Sequence, residues 1–220
     1  MTYTIAVISA GLSQPSSTRL LADQLAEATR RAAGQRIDVV TIELRELAHD
    51  ITNNLLTGFP SAALQQAIDA VTLANGVIAV TPVFSGSFSG LFKSFFDIID
   101  RDSLNGKPVL MAATGGSARH SLVLEYALRP LFAYLKATIV PTGVFAATED
   151  FGSDEAGRSL ADRVHRAGAE LVALMGVASP AARVVTEVEI SPGPAQPGRP
   201  AHEPDPFTSF VPFDELLARR

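Results

Sequence analysis

Short apolar runs alternate along this chain with segments whose apolar residues recur at helical spacing. Five such runs occur, at residues 4–9, 37–44, 77–80, 108–114 and 138–145. Each has the length of a strand and is largely apolar, which is typical of a strand covered on both faces of a parallel sheet. Helical patterns follow the runs, the last over residues 159–175. We therefore predict an α/β protein with a five-stranded, doubly wound parallel sheet and helices on both faces.

The unit at residues 77–97 is the most informative of these. We expect Thr81-Pro82 to end its strand, because proline has no N–H to donate to a sheet ladder. A loop rich in Ser, Gly and Phe follows, and a helical pattern begins near Leu91. In open α/β sheets, ligands bind beyond the carboxyl ends of the strands. The loop suits a flat ligand with a polar rim, although an ordinary Ser/Gly loop would have the same composition.

The loop after the first run places three hydroxyl side chains, Ser16, Ser17 and Thr18, where the next helix begins. Unpaired backbone N–H groups and the positive end of the helix dipole lie at the same point. A strand, a small-residue loop and a helix start with hydroxyls form a phosphate cradle in outline. The loop is neither a Walker A loop nor a GxGxxG loop. Helix capping alone needs only one hydroxyl, so we interpret the three as a phosphate site.

A third small-residue loop, at residues 115–117, follows the fourth run, and a helix is predicted over residues 121–135. Right-handed crossovers bring the loops after the first, third and fourth strands to the same edge of the sheet. Because these are the three small-residue loops, we predict one ligand site there. Residues 46–60 are predicted to be a polar connection. Asn75-Gly76 is predicted to end the preceding helix in a left-handed turn.

Composition disfavours several classes of function. The 220 residues fit one domain, and a hydrophobic content of 47% is enough for a large core. A net charge of −5 disfavours nucleic-acid binding. Cys is absent and the 4 His lack ligand spacing, so neither thiolate catalysis nor a metal site is expected. The start has no leader pattern and no stretch approaches the roughly 20 apolar residues that span a bilayer, so we expect a soluble cytoplasmic protein.

The end of the sequence differs in character from the rest. Residues 177–220 hold 8 of the 14 Pro, and residues 191–206 have no apolar periodicity. We predict one domain over residues 1–176 and a Pro-rich extension over residues 177–220. Residues 207–217 include three Phe and two Leu, more apolar surface than a free tail carries, so we expect them to dock. The target is open: the same chain, a sister subunit or another protein.

Three motifs resemble those of the NAD(P)H-dependent FMN reductases, which have the flavodoxin-like fold. TPVFSGSFSGLFKSFFD, residues 81–97, is similar to the family's Thr-Pro-Val-Tyr…Ser-Gly…Lys…Asp stretch, with Phe84 at the Tyr position. ATGGSARHSLVLEYALRPLFAYLKA, residues 113–137, is similar to its Gly-Gly-Ser…His…Tyr-Ala-Leu-(Lys/Arg)-Pro run. SAGLSQPSST occupies the position of its phosphate loop. The branch with the greatest similarity serves two-component monooxygenases, including alkanesulfonate-system reductases and partners of luciferase-like oxygenases.

This resemblance implies hydride transfer from NADPH or NADH to FMN, and delivery of reduced flavin to a flavin-dependent monooxygenase. It implies no catalytic side chain, and an assembly that is a homodimer or homotetramer. The residues at the positions that hold the FMN phosphate are Ser9, Ser16, Ser17 and Thr18. Those at the two edges of the isoalloxazine ring are Pro82, Val83, Phe84 and Ser85 on one side and Thr114, Gly115, Gly116 and Ser117 on the other.

The phosphate loop departs from the family pattern, because residues 9–12 replace Gly-Ser-x-Arg and lose the Arg. The expected FMN affinity is therefore modest, which suits a reductase that releases flavin. For Arg119 and His120, contact with NAD(P)H and an ordinary surface position are both open. Tyr126 matches a tyrosine that lies in a π-type bulge at a subunit interface in relatives, and its other possible role is a core aromatic. The pair Lys93 and Asp97 is interpreted as a helix-surface ion pair.

Other classes remain open. An NAD(P)H:quinone or azo reductase shares the fold and keeps FMN tightly bound. A flavodoxin-type electron carrier, which is not an enzyme, also holds FMN tightly, but it lacks the motif at residues 81–97 and is usually more acidic. A protein whose loops bind another phosphorylated ligand fits the cradle but not the motifs. Rapid exchange of FMN distinguishes a two-component reductase from the first two classes.

Overall fold

The computed structural model describes residues 2–152 and 155–177. The strands of this part are β1 (Tyr3–Ser9), β2 (Ile37–Glu43), β3 (Gly76–Phe84), β4 (Ser87–Phe88), β5 (Pro108–Gly115), β6 (Thr138–Ile139) and β7 (Val144–Ala147). Its α-helices are α1 (Ser17–Ala33), α2 (Ala48–Thr57), α3 (Ala62–Leu73), α4 (Gly90–Ile98), α5 (Arg129–Tyr134) and α6 (Glu155–Leu174). Short 3₁₀ turns lie at Leu44–Leu47, Ala118–His120 and Thr148–Phe151, and a π-helical turn lies at Leu124–Leu128.

The sheet has five parallel positions in the order β2-β1-β3-β5-β6. β7 pairs with β5 further along, so two short strands share the fifth position. The prediction of one strand over residues 138–145 is therefore wrong. Pro141 lies between the two pieces, where its missing N–H interrupts no ladder. The strand order is that of a flavodoxin-like fold, so the predicted doubly wound α/β class is confirmed.

Helices cover both faces of the sheet, which explains why the strands are apolar almost throughout. On one face, α1 and α6 bury Leu21, Leu25 and Leu171 against the strands. On the other face, the ring of Phe132 meets Phe92 and Phe96 edge-on, with centroids 6.3 and 5.2 Å apart. Each such side chain contributes about 1.5–3 kcal/mol by leaving water. The two cores make the sheet a firm support for the loops at its edge.

β3 continues to Phe84, so the prediction that it ends at Thr81-Pro82 is wrong. Pro82 pairs with Thr114 of β5, whereas β1 already ends opposite Val80. Beyond Val80, no strand formed by residues 2–152 and 155–177 continues the parallel sheet beside β3 on its β1 side. Pro82 therefore occupies a strand edge, where a missing N–H is tolerated. The predicted loop is instead a β3–β4 hairpin.

The predicted polar connection over residues 46–60 is also wrong, because it contains the end of a 3₁₀ turn and all of α2. This helix buries only Ile51, and its apolar residues at helical spacing, Ala48, Ile51 and Leu55, form a pattern too short to distinguish it from a polar connection. Gly58 ends α2 in the left-handed conformation.

α3 ends without the left-handed turn predicted at Asn75-Gly76. Ala74 is extended, and the Asn75 side chain accepts a hydrogen bond from the Thr4 N–H at 2.9 Å. Lys107 satisfies the carbonyl groups at the helix end instead, since its Nζ donates to three of them at 2.6–3.0 Å. Burial lowers the pKa of Lys107. A cation from the residue before β5 thus replaces the expected local turn.

The helix predicted over residues 121–135 is a π-helical turn followed by α5. Tyr126 lies in the π turn, as the resemblance implied, and its side chain is 79% exposed, so the alternative core role is wrong. On α4, Lys93 Nζ lies 2.5 Å from Asp97 Oδ1, which confirms the surface pair.

Within residues 2–152 and 155–177, no helix is long and apolar enough to cross a membrane. Residues 178–220 lie outside the described part. The division of the chain at residue 176 and the docking of residues 207–217 therefore stay predictions.

Candidate functional site

The carboxyl ends of β1, β3 and β5 lie side by side. Ser9 pairs with Val80, and Pro82 pairs with Thr114. The Ala10 N–H donates to the Val80 carbonyl at 2.9 Å, which ties the first loop to β3. The three small-residue loops therefore meet at one edge, where ligands of open α/β sheets bind.

The loop after β1 closes tightly onto the start of α1. The Ser16 Oγ caps the helix by accepting from the Arg19 N–H at 3.2 Å. A Cβ on Gly11 would lie 2.0 Å from that Oγ, so only glycine allows this approach. Capping uses one hydroxyl, which leaves those of Ser17 and Thr18 for other partners.

Ser9 supplies an unusual group at the end of β1. Its side chain is fully buried, and among the described residues its Oγ has no hydrogen-bond partner. An unsatisfied buried hydroxyl costs about 1–3 kcal/mol. A polar ligand atom at this edge would recover that cost, so the residues of the cradle fit a phosphate-bearing ligand.

A buried hydrogen bond joins the first loop to the third. Thr18 Oγ1 and Thr114 Oγ1 are 2.8 Å apart, and the two residues are 2% and 4% exposed. Two residues predicted separately, one in the phosphate cradle and one at the ring edge, are therefore in direct contact.

Thr81 anchors the hairpin, and the sequence reasoning did not single it out. Its buried Oγ1 accepts from the Ser89 N–H at 3.0 Å and donates to the Pro82 carbonyl at 2.9 Å. The Ser89 Oγ caps α4 through the Phe92 N–H. The signal was present in the sequence as a Thr before Pro and a Ser before a helical run, but neither pattern specifies this contact.

The β3–β4 hairpin carries the predicted ring-lining residues to the surface. Pro82 and Val83 are half-buried, and Phe84 is 46% exposed. At the tip, Ser85 and Gly86 have φ of +49° and +79°, the pattern of a type I′ turn. Ser85 thus holds a left-handed conformation that costs about 1–2 kcal/mol for a residue with a Cβ.

The loop after β5 brings backbone close to the same space. A Cβ on Gly115 would lie 3.0 Å from the Phe145 ring, whereas one on Gly116 would meet nothing within 4 Å. Ser117 is half-buried. Open space beside Gly116 leaves room for a flat ligand to approach the backbone.

Charged groups surround the cradle but do not enter it. Arg19 is bound by Asp23 at 2.8 Å and by Glu43, and these carboxylates raise its pKa. Arg45 donates to the Gln14 side-chain oxygen, when that amide is oriented with its oxygen toward Arg45. Arg45 has no carboxylate partner in the described part of the chain. It lies in the 3₁₀ turn after β2, so no linear motif links it to the loop.

The arrangement offers binding and orientation rather than acid–base chemistry. Among the described residues, no cluster of His, Asp and Glu could hold a metal ion. Small neutral side chains, a helix start and a flat open edge suit a ligand with a phosphate at one end and a ring at the other. Chemistry at such a site comes from the bound molecules, which the protein holds in register.

Comparison with known proteins identifies the family. Residues 3–152 match the family described as NADPH-dependent FMN reductase. Over 173 residues the chain is 39% identical to the NADH-dependent FMN reductase SfnE of Pseudomonas putida. This match covers 78% of this chain and 92% of the relative. Over 149 residues it is 38% identical to an FMN reductase (NADPH) of Pseudomonas aeruginosa. The matched region covers 68% of this chain and 79% of that relative. A solved oxidoreductase structure from Corynebacterium diphtheriae is 50% identical, with a TM-score of 0.78 over 81% of this chain and 99% of that one. The chain belongs to the NADPH-dependent FMN reductase family.

Proposed function

We propose that this NAD(P)H-dependent FMN reductase releases its reduced flavin to a separate flavin-dependent monooxygenase. The observation that supports release is the phosphate cradle, since residues 9–18 include no charged side chain. Backbone N–H groups and the helix dipole bind a phosphate without one. The cradle lacks the bidentate arginine contact that adds both energy and fixed geometry. FMN held in this way exchanges instead of remaining bound.

Four hydroxyl residues hold the phosphate end in this proposal. Ser9 offers a buried Oγ with no protein partner among the described residues. Thr18 is fixed by its bond to Thr114, and Ser17 is exposed at the first position of α1. Ser16 accepts from the helix backbone and still has its own O–H to donate. The hydroxyls of Ser9, Ser16 and Ser17 donate to phosphate oxygens. Thr18, whose Oγ1 is bonded to Thr114, contributes instead through its place in the first turn of α1.

The ring lies between the hairpin and the loop after β5. Pro82, Val83, Phe84 and Ser85 line one edge, and Thr114, Gly115, Gly116 and Ser117 line the other. FMN, when bound there, accepts the hydride that NAD(P)H donates. The exposed Phe84 and the open space at Gly116 leave one side accessible to the nicotinamide. The protein supplies proximity and orientation, and we assign no catalytic side chain.

Steady-state oxidation of NADPH and NADH, measured with varied FMN, tests the proposal. We expect little activity in the purified protein before FMN is added, and saturation in the micromolar range, which corresponds to about 8 kcal/mol of binding. Anaerobic equilibrium dialysis should show that reduced FMN dissociates at least as readily as oxidised FMN.

Two results would overturn this reading. Yellow protein that is fully active as purified, and responds to quinone but not to added FMN, identifies a quinone reductase. Flavin that binds tightly without any nicotinamide oxidation identifies an electron carrier. The homo-oligomeric assembly, the monooxygenase partner and the cytoplasmic location are part of the proposal and remain predictions.

A further inference from the structure

A second recess lies beside the proposed flavin edge. It has a volume of about 310 Å³ and is bordered by Gly86 and Ser87 of the hairpin and by Arg119, His120 and Tyr126. The hairpin side offers backbone and a hydroxyl, and the other side offers a guanidinium and an imidazole. The recess therefore combines a narrow backbone wall with positive charge and hydrogen-bond donors.

This recess adjoins the proposed flavin site through two of its lining residues, Gly86 and His120. Gly86 is the second residue of the hairpin tip and follows Phe84 and Ser85, which line the ring. His120 Cβ lies 3.6 Å from the position that a Cβ on Gly115 would take. A molecule stacked on the ring would therefore extend its next groups into the recess.

Arg119 is the unpaired cation of this region. It is exposed and makes no ion pair among the described residues. The other nearby arginine, Arg129, is bound by Glu125 through two hydrogen bonds of 2.5 and 2.9 Å. That bond lowers the pKa of Glu125, so the carboxylate stays ionised and occupied by its partner. Arg119 keeps its charge free for a ligand.

We propose that this recess binds a phosphate group of the nicotinamide dinucleotide, with Arg119 as its main charged contact and His120 as a second donor. The proposal rests on the proposed function, since it requires NAD(P)H to stack at the neighbouring flavin edge. A guanidinium pairs with phosphate oxygens through a planar fork of donors. The shared pyrophosphate and the 2′-phosphate of NADPH have the same chemistry, and a comparison of NADH with NADPH separates them.

The test uses Arg119→Gln, with Arg36→Gln as a matched control. Arg36 precedes β2 at the opposite edge of the sheet, pairs with Asp38 at 3.0 Å and has an 85% exposed side chain. The control removes one positive charge far from the site. Arg119→Lys keeps the charge without the fork and should rescue only part of the loss.

We expect Arg119→Gln to raise the KM for NADPH about three- to tenfold, with the KM for FMN unchanged. Because screening weakens a partly exposed ion pair, the parent's KM should rise with salt more steeply than the variant's. A rise for NADPH alone assigns the 2′-phosphate, and an equal rise for NADH assigns the pyrophosphate. Calorimetric titration with NADP⁺ and NAD⁺ should show the same loss of affinity without turnover.

Unchanged affinity for both nucleotides in Arg119→Gln would overturn the inference. An equal loss of affinity in Arg36→Gln would also overturn it, because the loss would then come from the change in net charge and not from a contact with Arg119. A parent protein that binds NADP⁺ but reduces no FMN would refute the proposed function, while the calorimetric comparison would still decide the role of Arg119.

Discussion

Replacing Thr114 by Val tests whether the buried Thr18–Thr114 bond holds two loops of the site together. Valine keeps the shape of the side chain but removes the hydroxyl, so Thr18 Oγ1 loses the only partner it has among the described residues. Because both residues are at least 96% buried, water cannot replace that partner. A buried hydroxyl left without a hydrogen bond costs about 1–3 kcal/mol. Against a total stability of about 5–15 kcal/mol this is a large loss.

The assay is urea and thermal unfolding of flavin-free protein, followed by circular dichroism. A loss of about 2 kcal/mol should lower the midpoint of thermal unfolding by about 4–8 °C in a domain of this size. Thr41, exposed on β2, gives the matched control, since Thr41→Val should change stability by less than about 0.5 kcal/mol.

The double variant Thr18→Val with Thr114→Val measures the interaction energy between the two hydroxyls. It leaves no unsatisfied hydroxyl, so its loss should be smaller than the sum of the two single losses by about 1 kcal/mol or more. Additive losses, or a Thr114→Val variant as stable as the parent, would refute the reasoning.

Arg45→Gln should raise the KM for FMN by less than about threefold and leave that for NADPH unchanged, because this cation lies beside the phosphate loop, bonded to Gln14, without entering the cradle; steady-state kinetics with each substrate varied gives the answer. Lys107→Met should lower the free energy of unfolding by about 2 kcal/mol, since three carbonyls at the end of α3 lose their donor; an unchanged urea midpoint would contradict this. Gly11→Ala should push Ser16 off its capping position and cost about 1 kcal/mol, whereas Gly116→Ala, which meets open space, should leave the unfolding midpoint in place.

Much of the fold could be predicted because strand and helix patterns are local. The five apolar runs specify a parallel sheet covered on both faces, and five strand positions are observed. Predictions failed where local pattern and tertiary contact disagree. α2 is short and buries only one side chain, and β3 runs through Pro82 because its neighbour β1 has already ended. Neither fact can be read from the residues alone.

The candidate site also has features that the sequence predicted and features that it did not. Its three loops were predictable, because small residues after successive strands meet once the crossover hand is fixed. The Thr18–Thr114 bond was not, since the two residues are 96 positions apart and their contact depends on strand register. The same holds for Arg45, which reaches Gln14 from the turn after a different strand.

The sequence by itself therefore determined the fold class, the family and the edge of the sheet where we propose the ligand site, because periodicity and loop composition are properties of neighbouring residues. Only the tertiary structure decided which hydroxyls are paired, that Ser9 Oγ is buried without a partner in the described chain, and which arginines are free. Burial, pairing and charge compensation depend on groups brought together from distant positions, and those contacts exist only after the sheet has formed.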